Sequence, residues 1–411
     1  MRRSIIAILG GLAALVLPAA PAPSAAPVAA VVQAAPVVQV AAVSLDPRGR
    51  VVGAYPWSLQ VSADGGTVLW ASDDDVTTVA AGQQWYLLRR ATGTVTLVSA
   101  APDGTPADGM HLVSGAALSG DGSLVLLWDR DATTLLPDLG SAASVVLLRR
   151  PDTGATSVLR LPTVTTSTRG VARLRVQTAA LSADARWVTV GGQVPQGAGA
   201  PYEAVVRLDR TTGTWTTLCG GEADGDRCRL TTSSPDGRYA ALDRWPAPTV
   251  LHDAVTGVER AWPVDADGVP QPCVVAADST RLVCERHSAQ PTQPGGVDTT
   301  LVSRALPDLS VVTTLRLRGL VTVSAATAGA AQLAVEARRP GSRLSDAQRV
   351  DGATGARATV SVGPDGTPTT MAVHTAGMTA DGAVLFTTPD RALADRPAKS
   401  RLPRAYLATV R

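Results

Sequence analysis

Two groups of side chains in this 411-residue chain could do chemistry by their type and spacing. Asp73, Asp74, Asp75, Asp129 and Asp131 crowd two polar segments of the N-terminal half, and Arg338, Arg339, Arg343, Arg391, Arg396, Lys399 and Arg401 crowd two segments near the C-terminus. Clustered carboxylates offer the hard oxygen ligands that calcium takes. A pair held about 5 to 9.5 Å apart would supply the acid and base of a glycosidase. Loop charges more often only keep a protein soluble, so no metal site is assigned. The ligand-binding face is placed on Asp73, Asp74, Asp75, Asp129, Asp131, Arg338, Arg339 and Arg391.

Of the four histidines, His111, His252 and His374 are expected on separate elements, and His287, beside Glu285 and Arg286, is the plausible acid or base. No Gly-x-Ser-x-Gly elbow, His-Glu-x-x-His helix, Walker loop or Rossmann fingerprint occurs. Ser62-Ala63-Asp64-Gly65 has the wrong following spacing for a sialidase Asp-box. The expectation is therefore no catalytic residue and no cofactor. Cys219 and Cys228 flank a Gly- and Asp-rich loop, and Cys273 and Cys284 lie symmetrically about Asp278-Ser279, so two local disulfides are expected. Metal-binding cysteines usually stand two to four residues apart, a spacing missing here.

The elements that must position these groups repeat. A turn of the type Ser-x-Asp-Gly between two apolar runs is centred at Asp64, Asp121, Asp184, Asp236, Asp278, Ala328 and Asp381, the sixth lacking its Asp. Asp bonds nearby amides and Gly accepts positive φ, so each turn joins antiparallel strands a and b. A second turn joins c to d at Thr92-Gly93, Thr153-Gly154, Thr212-Gly213, Thr256-Gly257 and Thr354-Gly355, with Leu309-Ser310 in the fifth unit. Such a period predicts an all-β fold, a seven-bladed propeller of four-stranded antiparallel blades. The seventh unit stops after Arg404 to Val410, its third strand, and an unpaired run from Val38 to Leu45 precedes the first unit. Joining the two closes the ring without a free edge. Trp70, Trp128 and Trp187, in b strands, are expected to pack between blades.

Met1-Arg2-Arg3-Ser4 followed by an apolar run from Ile5 to Leu17 reads as a secretory signal peptide over residues 1–30, with an Ala/Pro/Val-rich linker at 31–37 and the propeller at 38–411. That run is too short to span a bilayer. Removing Arg2 and Arg3 leaves 35 basic and 35 acidic side chains, which gives no field to steer the chain to nucleic acid.

The pattern DGTP…LSGDGSLVLLWD…SVVLLRRPDTGATSVL resembles the WD40-like, TolB-type (PD40) propeller repeats of secreted bacterial proteins, over nearly all of the mature chain. The resemblance implies a rigid scaffold and leaves the activity open. The expectation is a secreted or extracytoplasmic, monomeric, non-catalytic propeller whose loops bind a protein, a cell-envelope polymer or a small ligand. The alternative is a propeller enzyme that acts on carbohydrate or a related polymer through loop carboxylates.

Overall fold

The computed structural model describes residues 37–410 apart from 75, 77–81, 102, 108–113, 130–135, 137–143, 167–169, 195–201, 221–226, 246, 265–270, 288–297, 391–392 and 394–401. The expected signal peptide and most of the linker lie outside them. The described strands make seven four-stranded antiparallel sheets and one extra hairpin, with helix limited to short 3-10 turns.

In the order a, b, c, d, blade 1 comprises Gln60–Val61, Thr67–Ser72, Gln84–Arg89 and Thr94–Leu97, and blade 2 Gly115–Leu118, Val125–Asp129, Val145–Arg149 and Thr156–Leu159. Blade 3 follows with Arg175–Leu181, Trp187–Val194, Tyr202–Asp209 and Thr214–Gly220, and blade 4 with Arg227–Ser233, Tyr239–Trp245, Val250–Asp253 and Glu259–Ala261. Blade 5 is built from Cys273–Val275, Arg281–His287, Thr299–Ala305 and Val311–Leu317, and blade 6 from Val321–Ala326, Gln332–Arg338, Ser345–Asp351 and Arg357–Thr359. Blade 7 takes His374–Met378, Val384–Thr388 and Arg404–Val410 from the C-terminus and Val38–Ala42 from the N-terminus. Val38 stands opposite Val410 and Ala42 opposite Tyr406, so the ring closes as expected. The closing strand stops at Ala42 rather than Leu45, because the chain turns where Asp46 accepts the N–H groups of Arg48 and Arg50. The hairpin Thr163–Thr166 with Gly170–Arg173, between blades 2 and 3, has no counterpart in the repeat reading.

The Ser-x-Asp turn works by a repeated bond pattern. Ser62 Oγ donates to Asp64 Oδ1 and accepts from Thr67 N, while Gly66 N donates to the same Asp64 oxygen. Ser119, Ser182 and Ser234 repeat this with Asp121, Asp184 and Asp236. Neighbouring turns are then bonded edge to edge: Ala63 N to Gly120 O, Gly120 N to Ala183 O, Ala183 N to Pro235 O, and Ala380 N to Ala63 O across the closure. Where blade 6 carries Ala328 in place of Asp, the Asp278 carboxylate of blade 5 accepts Gly329 N at 2.8 Å. The lower end of the ring, where a meets b, is thereby fixed.

Apolar packing lies between blades. Leu69 and Leu87 of blade 1 pack with Val125 and Leu127 of blade 2, and corresponding clusters fill the other joints around to Trp70 and Tyr86 against Leu385 and Leu407 of blade 7. Trp70 is fully buried, Trp128 is half-buried against the core between blades 2 and 3, and the Trp187 ring lies 3.8 Å beneath the Arg207 guanidinium. These three tryptophans are packing residues. Both disulfides form as expected: Cys219–Cys228 ties blade 3 to blade 4, and Cys273–Cys284 joins directly opposed residues of the blade 5 hairpin.

Candidate active site

The upper end of the ring carries the b-to-c and d-to-a connections, and the groups able to move a proton stand at the strand ends beneath them. Along strand b of blade 5, Val283, Glu285 and His287 alternate onto the face that packs on blade 6, since Val283 belongs to that joint's apolar cluster. Glu285 is 4% exposed, and its Oε2 accepts the backbone N–H of Val323 at 3.0 Å. Burial pushes its carboxyl up to about 7, against the smaller opposing effect of that N–H. His287 is exposed, although partial desolvation of its ring lowers its pKa, and its Nδ1 lies 3.2 Å from Thr299 Oγ1. Two residues apart on one strand face, Glu285 and His287 have Cα atoms about 7 Å apart.

Blade 6 continues the series. Thr322, next to Val323, pairs with Glu336, whose Oε2 lies 3.3 Å from Nδ1 of His374 at the start of blade 7. Ser324 and Thr375 hydroxyls are hydrogen-bonded across the same joint. Two carboxyls and two imidazoles thus stand on strands toward the upper ends of blades 5, 6 and 7. Between blades 3 and 4 a cavity of about 290 Å³ is lined by Gln177, Gly191, Gly192 and Arg229. Arg229 is tied to buried Glu203, its Nε and Nη2 lying 2.8 Å from the two carboxylate oxygens; burial alone would raise that carboxyl, and the Arg229 bonds hold it low.

The residues chosen from sequence for a binding face are spread over this end. Asp73 is exposed and accepts the Tyr55 hydroxyl at 3.1 Å, whereas Asp74 accepts Gly53 N at 2.6 Å. Asp129 ends strand b of blade 2 and is buried. Arg338 donates to Ser342 O, and Arg339 is paired with Asp346 at 2.5 and 2.9 Å, so both brace their own connection. Asp75, Asp131 and Arg391 lie outside the described residues, as do His111, Arg396, Lys399 and Arg401. Among the described residues no group of three or more His, Cys, Asp or Glu side chains gathers as a metal ion would require.

Two solved propellers match this ring along nearly its whole length. An oligogalacturonate lyase in complex with manganese is 14% identical with a TM-score of 0.55, covering 92% of this chain and 97% of its own. The oligogalacturonate lyase of Vibrio parahaemolyticus is 12% identical with a TM-score of 0.56, covering 91% of this chain and 97% of its own. No family model and no curated protein matches the chain. At these identities the likeness shows the fold.

It also corrects one expectation. The absence of a familiar catalytic motif among the repeats points to a non-catalytic scaffold, yet both solved proteins with a propeller of this extent are named oligogalacturonate lyases. On a ring, reacting groups come from several blades far apart in sequence, so a missing local motif does not argue against an enzyme. Sequence reading singled out His287 and named Glu285 only as its neighbour. The available signal was a carboxylate at an inward position of strand b, in phase with Val283.

Proposed function

We propose that this chain is a propeller enzyme that acts on a carbohydrate or related polymer at the upper end of the ring, with Glu285 as its proton-transfer group. The observation that carries this reading is Glu285 itself, a buried carboxyl held at about 7 with a single backbone N–H donor and no described cation beside it. A group that is half protonated at neutral pH can both give and take a proton, which is what an enzyme's acid or base needs. Breaking a glycosidic bond, by hydrolysis or by elimination, requires a proton for the leaving oxygen and a base elsewhere. His287, two residues along the same strand, and the Glu336–His374 pair at the next joint are the groups available for the second role. The full-length likeness to two lyases supports the substrate class.

The chain is read as exported, with residues 1–30 as signal peptide, and its repeats as TolB-type; the basic-then-apolar start and the two disulfides support this. No helix among the described residues is long and apolar enough to cross a membrane. Its partner is then a polymer of the envelope or surroundings.

The test is turnover of a panel of neutral and uronate polysaccharides by the disulfide-intact protein. New reducing ends without ultraviolet absorbance report hydrolysis, and with absorbance report elimination. Glu285→Gln should lower kcat roughly 10²- to 10⁴-fold on whichever polymer is cleaved. Full kcat in that variant, or no cleavage by the wild type across the panel, would overturn the reading.

A further inference from the structure

Trp57 is 62% exposed, whereas every other aromatic ring whose side chain is described is buried or half-buried. It sits on the short 3-10 turn Pro56–Ser58 that leads into blade 1, and this turn is firmly built. Ser58 Oγ donates to Tyr55 O and accepts Ala71 N, both at 2.8 Å, and Tyr55 N donates to Ala71 O at 2.9 Å. The turn is thereby bolted to strand b. Tyr55 stacks on the Trp57 indole with centroids 5.3 Å apart, and buried Trp85 meets it edge-on at 6.0 Å.

A packing role would bury the indole, gaining on the order of 2 kcal/mol. The fold instead fixes it outward. Beside it, burial and the Asp73 and Asp74 charges hold the Tyr55 hydroxyl protonated, donating to exposed Asp73. The turn also packs against the inner strand of blade 7, whose first residue is His374.

We infer that Trp57, with Tyr55 and Asp73, is a stacking subsite for a neutral, hydroxyl-rich pyranose unit of the polymer. A pyranose presents a patch of C–H groups that fits a rigid aromatic face, and its hydroxyls donate to a carboxylate at the rim. Two aspartates beside the platform repel a uronate carboxylate. This rests on the carbohydrate reading above and narrows it, since the two solved lyases are named for an acidic substrate.

The experiment is calorimetric titration of the full disulfide-intact protein with cello-, xylo-, manno-, malto- and galacto-oligosaccharides, and with trigalacturonate. At least one neutral series should bind, Trp57→Ala should weaken it roughly tenfold or more, and Trp57→Tyr should restore part of the loss. Circular dichroism of the Trp57→Ala variant should match the wild type, because the side chain is open to solvent. The inference falls if no neutral series binds, if Trp57→Ala binds as the wild type, or if trigalacturonate binds through Trp57. Binding through Trp57 without cleavage by the wild type would overturn the enzyme and keep the subsite. Cleavage with an unchanged KM in Trp57→Ala would do the reverse.

Discussion

Glu285 carries a stability cost that pH should reveal. Its carboxyl lies at about 7 in the fold against the ordinary glutamate value of 4.5, so the fold favours the protonated form. The stability contributed by Glu285 is fully present below about pH 4.5 and is lost as pH rises through 7. Glu285→Gln remains neutral, so it should gain on the wild type between pH 5 and 8, by on the order of 3 kcal/mol at about 1.4 kcal/mol per pH unit. Urea denaturation at the two pH values measures this, and an equal difference at both would show that the carboxyl ionises freely. The turn glycines offer a second residue-scale comparison. Gly213 and Gly237 have φ of 72° and 71°, but an added Cβ meets open space at Gly213 and the Trp187 Cβ at 2.6 Å at Gly237. Gly213→Ala should cost about 1 to 2 kcal/mol from backbone strain alone. Gly237→Ala should cost roughly twice as much or more, and equal midpoints in denaturant would refute the clash.

At the scale of elements, the hairpin of blade 5 is braced by a cross-link within it. Strand a is only three residues long, Cys273–Val275, and Ser279 holds the turn at a φ of 59° where the repeat usually places glycine. Cys273 and Cys284, eleven residues apart, bond across the non-ideal turn. Replacing both by Ser should lower stability by about 2 kcal/mol, on the account that the cross-link restricts the unfolded chain. Unchanged melting, or alkylation of both thiols in unreduced native protein, would remove that role. The phase of the repeat made this pairing legible, because equal spacing from the turn puts the cysteines opposite one another. The hairpin Thr163–Thr166 with Gly170–Arg173 was not legible, since it interrupts the repeat instead of following it.

For the whole molecule, closure joins the chain's two ends. Val38, Val40 and Ala42 pack with Phe386 and Tyr406 in the joint between blades 6 and 7, as well as pairing with the last strand. Deleting residues through Ala42 should bare one edge and part of that joint, and lower the melting temperature sharply. An unchanged temperature would mean that the seventh blade holds without its outer strand. Between the turn ring below and the connections above, the molecule separates a repeated end from a varied one, and Glu285, His287 and Trp57 all stand toward the varied end.

The turn chemistry, blade count, ring closure and disulfide pairs were determined by the sequence alone, because each depends on contacts between residues close in the chain or repeated in phase. Tertiary structure decided the site. Glu285 becomes a candidate acid only because blade 6 buries it, and the Glu336–His374 pair exists only because two blades meet. Trp57 differs from Trp70 not in residue type but in which neighbours cover it. Burial and inter-blade distance are properties of the assembled ring, and they set the carboxyl's protonation and the indole's exposure.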